Sequence, residues 1–216
     1  MDPLVSAACG LMGEASLNRF KDRVTIRIAR RILRPRPLAL VCRFDNSTTQ
    51  KQAGKDWEAA LKDIMSFGTV QEFWHTYSSI TPASRTASGS NWSLFRAGIK
   101  PMWEDPVNKQ GGKWVLTINR SEKRNLDDWW LYAVLASIGE VLETAQGHDE
   151  ICGLVCSIRK DKDRIALWTK SAADMELQHQ IGTHFRQILN LPSSVRLQYQ
   201  THDDALSTGS SFRNST

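Results

Sequence analysis

The chain has 216 residues, 41% of them hydrophobic and 24% charged, enough to bury the core of one large domain or two small ones. It contains no apolar run of about 18 residues, the length that spans a bilayer, and opens without the basic-then-apolar pattern of a secretory signal, so a cytosolic chain with access to the nucleus is expected. The net charge of +5 sits entirely in residues 1–36, with eight Lys/Arg against three Asp/Glu; residues 37–216 hold twenty of each, which excludes general attraction of the body for phosphate.

Residues 1–36 read as a flexible basic tail ending near Pro35 and Pro37, and residues 37–216 as a single domain. WEAALKDIMSF, from Trp57, is predicted to be a short helix. TVQEFWHTYSSI is a better one: Thr69 and Glu72 form a capping box, and Val70, Phe73, Trp74, Tyr77 and Ile80 share one stripe. KWVLTINR, from Lys113, reads as a strand. LDDWWLYAVLASIGEVLETA follows as the longest helix, with Ser121 or Asn125 as its cap. A 100° step per residue places Leu126, Trp129, Trp130, Ala133, Val134 and Val141 on one arc, and Leu131, Leu135, Ile138 and Leu142 on a second. Together they are about twice the ~100° stripe of a surface helix, so either both arcs are buried or one awaits a partner.

ICGLVCSIR and RIALWT read as a hairpin joined by KDKD. Four residues apart, Cys152 and Cys156 are expected on one face as small core residues rather than as a disulfide or metal site. A four-residue loop would set Arg159 directly opposite Arg164. Alternation would send Cys156, Ile158, Ile165 and Leu167 to the core and leave Arg159, Arg164, Ala166 and Trp168 on the other face. Arginines facing across a ladder repel and would be relieved either by Asp161 and Asp163 or by a bound phosphate that fits their forks. DMELQHQIGTHFRQILNL is the last helix, ended by Pro192, and VRLQYQ the last strand. Short connections between strands predict antiparallel pairing with helices on one side, an α+β layer.

KPMWEDPVNKQGGKW poses the sharpest question. Pro101 and Pro106 keep Trp103 and Glu104 in a bent loop, where a tryptophan either plugs a core gap or binds something. Indole and carboxylate side by side suit a guanine: the ring covers its face and the carboxylate takes the N–H groups along its edge. Trp57 is placed to cover the opposite face. A positively charged guanine would add a cation–π contribution of roughly 0.5–2 kcal/mol per face to stacking worth about 1–3 kcal/mol.

Here the sequence resembles the eukaryotic translation initiation factor 4E family, through TVQEFW, SLFRAGIKPMWEDPVNKQGGKW, DDWWLYAVLASIGE, ICGLVCSIR and RIALWT, roughly Trp57 to Ser210. The resemblance implies a curved antiparallel β-sheet with three long helices on its convex face and the 7-methylguanosine cap of mRNA in its concave face. It implies that Trp57 and Trp103 stack, Glu104 accepts the guanine edge, Trp168 contacts the added methyl, and Arg159 and Arg164, with Lys162 more weakly, meet the phosphates. Val70, Trp74, Leu131 and Leu135 match a dock for a helical tyrosine/leucine peptide from a scaffold factor or a repressor. Pro37 and Leu38 match the start of the family's domain, though Cys42 and Phe44 follow where it carries tryptophans. Tyr132 stands where the family often has an acidic residue, and Ser210 lies near a tail serine phosphorylated in some relatives.

The implied function is a monomeric binding module that recruits capped mRNA for translation initiation, with no cofactor, metal, catalytic residue or membrane. A cap-holding repressor of the same fold is the nearest alternative. An enzyme is disfavoured because His75, His148, His179, His184 and His202 show no ligand spacing and QGGKW is no phosphate loop. A general single-strand binder is disfavoured by the neutral body.

Overall fold

The computed structural model describes residues 40–46, 57–67, 70–142, 149–204 and 214–215. Strands β1 (Leu40–Asp45), β2 (Lys62–Phe67), β3 (Asn91–Arg96), β4 (Gly112–Ile118), β5 (Ile151–Ser157), β6 (Asp163–Thr169), β7 (Leu197–Thr201) and the two-residue β8 (Asn214–Ser215) form one sheet, in the order β2-β1-β3-β5-β6-β4-β7-β8. Every neighbouring pair is antiparallel. Helices α1 (Val70–Tyr77), α2 (Leu126–Ile138) and α3 (Met175–Ile188) pack on one face, as the α+β reading expects.

That face holds the main core. Leu40, Cys42, Trp92, Leu94, Trp114, Leu116, Leu154, Cys156, Ile165, Leu167, Leu197 and Tyr199 alternate along the strands to meet Phe73, the buried side of α2, and Ile181, Phe185 and Ile188 of α3. Trp114 is fully buried and its indole N–H donates to the Gln178 carbonyl at 3.0 Å. A Cβ on Gly182 would fall 2.3 Å from the Trp114 ring, so only glycine lets α3 lie this close. Asp174 caps α3 by accepting from the Leu177 N–H at 2.9 Å.

None of α1, α2 and α3 packs on the opposite face, which carries a smaller cluster: Phe95, Ile99, Val115, Cys152, Ala166 and Trp168, with Val155. Val41, Arg43 and Asp45 on β1 face the same way, since their neighbours Leu40, Cys42 and Phe44 belong to the main core.

Several expectations give way. WEAALKDIMSF is not a helix: a 3-10 turn, Trp57–Ala60, leads into β2, which pairs with β1 at the sheet edge. Its Ala- and Leu-rich start favours helix locally, and ladder pairing overrides it. The long helix stops at Ile138, where Gly139 and the left-handed Glu140 (φ 51°) turn the chain. Asn125 holds its N-cap position but makes no side-chain cap hydrogen bond, and Ser121 lies in the preceding 3-10 turn, Arg120–Asn125, which Asn119 starts in a capping box with Glu122. Strands β1 and β3 carried no sequence expectation. Thr69, Pro37, Leu38, Ser210 and residues 1–36 lie outside the described residues.

Cys152 and Cys156 do not share a face. The β5–β6 register shifts between Ile151 and Gly153, and this bulge turns Cys152 toward the opposite face while Cys156 stays in the main core. Both are buried and unbonded to each other, and burial pushes the Cys152 thiol up to about 12.

Candidate functional site

The loop between β3 and β4 has little regular structure, and two buried polar side chains hold it. Asp105 accepts from the Lys100 N–H through one carboxylate oxygen and from the Val107 N–H through the other, both at 2.9 Å. Asn108, fully buried, donates its amide to the Lys100 and Met102 carbonyls, both at 2.8 Å. Gly98 (φ 85°) makes the entry turn. At the far end, a Cβ on Gly111 would fall 1.9 Å from the Thr169 carbonyl, so the paired glycines serve close packing. The scaffold lifts Trp103 out, 43% exposed. Beside it Glu104 is exposed and makes no hydrogen bond or ion pair among the described residues.

On the sheet face opposite α1, α2 and α3 stands Trp168, 7% exposed, edge-on to Phe95 at 5.5 Å and 4.4 Å from the His202 ring. Trp168 Nε1 and His202 Nε2 are buried with no hydrogen-bond partner among the described residues. Burial, and then the charge of Lys113, pushes His202 down to about 4, so its imidazole is neutral at pH 7. Lys113 Nζ lies 5.5 Å over the Trp168 ring. Burial, then Arg164, pushes the Lys113 ammonium below the usual lysine range.

Four residues from Trp168 along the same face of β6, roughly 13 Å at strand rise, stands Arg164, exposed and without a hydrogen bond or ion pair among the described residues. The cross-strand row there reads Asp45, Asn91, Ser157, Arg164, Thr117. Arg159 is therefore not opposite Arg164. Ile158 instead bonds the backbone before β3, donating its N–H to the Ser90 carbonyl at 2.9 Å and accepting from the Gly89 N–H at 2.8 Å. Asp163, 2% exposed, takes the Arg159 N–H at 2.9 Å and pairs with Lys123 at 3.5 Å. The Arg159 guanidinium donates to the Ser90 carbonyl (3.0 Å), the Ile158 carbonyl (2.9 Å) and Asn91 Oδ1 (2.7 Å). Arg159 stands two residues beyond Ser157, the cross-strand neighbour of Arg164. Lys162 is exposed in the same loop.

Trp168 and Arg164 thus mark an aromatic and a basic end on one face of β6. Residues 40–216 match the family model described as eukaryotic initiation factor 4E. The chain belongs to that family. It is 42% identical over 157 residues to eukaryotic translation initiation factor 4E1 of Drosophila melanogaster, covering 73% of this chain and 60% of that relative. To eukaryotic translation initiation factor 4E of Homo sapiens it is 40% identical over 162 residues, 74% of each. Among solved structures, eIF4E-3 of Ascaris suum in complex with an m2,2,7G cap is similar with TM-score 0.73 and 33% identity, over 83% of this chain and 97% of that one. C. elegans eIF4E-3 with the 4E-binding protein Mextli and a cap analog is similar to the same degree, over 83% and 98%.

Of the residues the sequence points to, Trp168 and Arg164 share one face of β6, Arg159 stands in the β5–β6 connection, and Trp103 and Glu104 stand in the β3–β4 loop. Trp57 begins the 3-10 turn Trp57–Ala60; its side chain, like that of Val70 at the start of α1, lies outside the described residues. On the helical side Trp74 is half-buried, edge-on to Phe73 and Tyr77. Both arcs of α2 are buried: Leu131, Tyr132 and Leu135 are 9%, 7% and 8% exposed and belong to the main core. Sequence reasoning missed Lys113 and His202. For Lys113 a signal existed, because alternation in KWVLTINR opposes it to the buried Trp114; His202 follows the last strand with no local pattern.

Proposed function

We propose that the chain binds the 7-methylguanosine cap of mRNA and delivers it to translation initiation through a scaffold protein docked on the helical side, in the cytoplasm and with access to the nucleus, as a binding module without catalysis. The observation that carries this reading is polarity: an exposed Trp103 beside a Glu104 unpaired among the described residues, and Arg159 and Arg164 with no carboxylate on either guanidinium there, which this reading sets at the two ends of one groove. A cationic base is attracted to the indole and the carboxylate, and the two arginines meet the phosphates. A neutral His202 adds no positive charge beside the base. Trp57 completes the sandwich in this reading. The similar nematode structures, with caps and with Mextli, point the same way. Fluorescence titration with methylated and unmethylated guanosine triphosphate tests it: equal quenching by both overturns it.

A second reading, a cap-holding repressor, is favoured by Tyr132, an aromatic residue packed in the core where the family often presents an acidic side chain to its partner. Pull-down of a scaffold peptide with the tyrosine/leucine pattern separates the two; capture supports the initiation role.

A further inference from the structure

Arg159 reaches the groove with no carboxylate on its guanidinium among the described residues. The group has three acceptors there, and all are neutral: two backbone carbonyls and the side-chain oxygen of Asn91. The amide of Asn91 is itself held, because its nitrogen donates to Asp45 Oδ2 at 2.9 Å, and Asp45 is 4% exposed. A guanidinium can only donate and an ionised carboxylate can only accept. A side chain that bridges them must accept on one side and donate on the other, which fixes the Asn91 oxygen toward Arg159 and its nitrogen toward Asp45.

Resting on the cap reading above, we propose that Asn91 is a positioning residue for the phosphate end: it holds the Arg159 guanidinium in the groove while leaving its charge uncancelled, with Asp45 setting the amide from behind. An aspartate in place of Asn91 would make a charge-assisted pair with Arg159 and remove one cation from the reach of a bound polyphosphate. The Asp45 carboxylate is kept one residue further from the guanidinium, behind a neutral spacer.

The test moves that carboxylate by one cross-strand position. Asn91→Asp alone brings two acids together and can impair folding, so it is paired with Asp45→Asn in one double variant, which preserves the net charge and the hydrogen bond between positions 45 and 91. Binding of 7-methylguanosine mono-, di- and triphosphate is measured by fluorescence titration for the wild type, Asn91→Asp and the double variant. In the double variant the preference for triphosphate over monophosphate is expected to shrink roughly tenfold, the effect of losing one charge-assisted contact. The salt slope for triphosphate is expected to fall by about one. An unchanged triphosphate-to-monophosphate ratio, or equal losses for all three ligands, overturns the role of Asn91. Failure of the cap reading is distinguishable, since the wild type itself would then not distinguish methylated from plain nucleotide.

Discussion

The two ends of the groove reach a defined geometry by different routes. At the base end, Trp103 and Glu104 ride on a loop whose shape depends on four side-chain hydrogen bonds made by Asp105 and Asn108. At the phosphate end, Arg164 stands on a strand, so the ladder itself sets its spacing from Trp168 and Lys113. A loop needs a buried polar scaffold to be exact; a strand position inherits its placement from the sheet. The base end should therefore be broken from beneath, and the phosphate end only through its charges.

The largest effect is expected from Asp105→Ala. It strands two loop N–H groups, each costing roughly 1–3 kcal/mol, and lowers urea-unfolding stability and methylated-nucleotide affinity together. Next comes acid. His202 has a folded pKa of about 4 against the ordinary 6.5, so between those values the unfolded chain binds the extra proton and stability falls as pH drops. By linkage about 3 kcal/mol is lost across that window, and His202→Gln should flatten the pH dependence of urea unfolding. Trp103→Ala should cost about 1–3 kcal/mol in methylated-nucleotide binding by calorimetry and leave stability near wild type; a large loss of stability would mean that this indole plugs the fold instead. The smallest effect belongs to Arg164→Ala, which should lower the salt slope of triphosphate binding by about one without altering the preference for the methylated base. If it altered that preference, the two ends would not be separable.

Much of this division is legible in the sequence. The strands from Gly112, Ile151, Asp163 and Leu197 announce themselves by alternation, and α3 by its Asp174 cap and the following Pro192. The prolines flanking Trp103 mark a presented side chain by their spacing alone, because neither helix nor long strand can run between them. What stays hidden depends on partners far along the chain. Strand β2 looks helical until β1 pairs with it. Arg159 looks opposed to Arg164 until Ser90 captures Ile158. Asn91 is an ordinary polar residue until the register sets it against Asp45, 46 positions away. Local pattern reports which face a residue occupies only while the strand runs without a bulge, as Cys152 shows; cross-strand register decides whom it meets.

The bulge between Ile151 and Gly153 has a chemical consequence. One extra residue puts the Cys152 and Cys156 sulfurs on opposite surfaces of a sheet, with the backbone between them. An oxidant that reached either thiol could not link the pair without unravelling the strand, so this stretch keeps its two reduced sulfurs chemically independent for as long as the sheet stays folded.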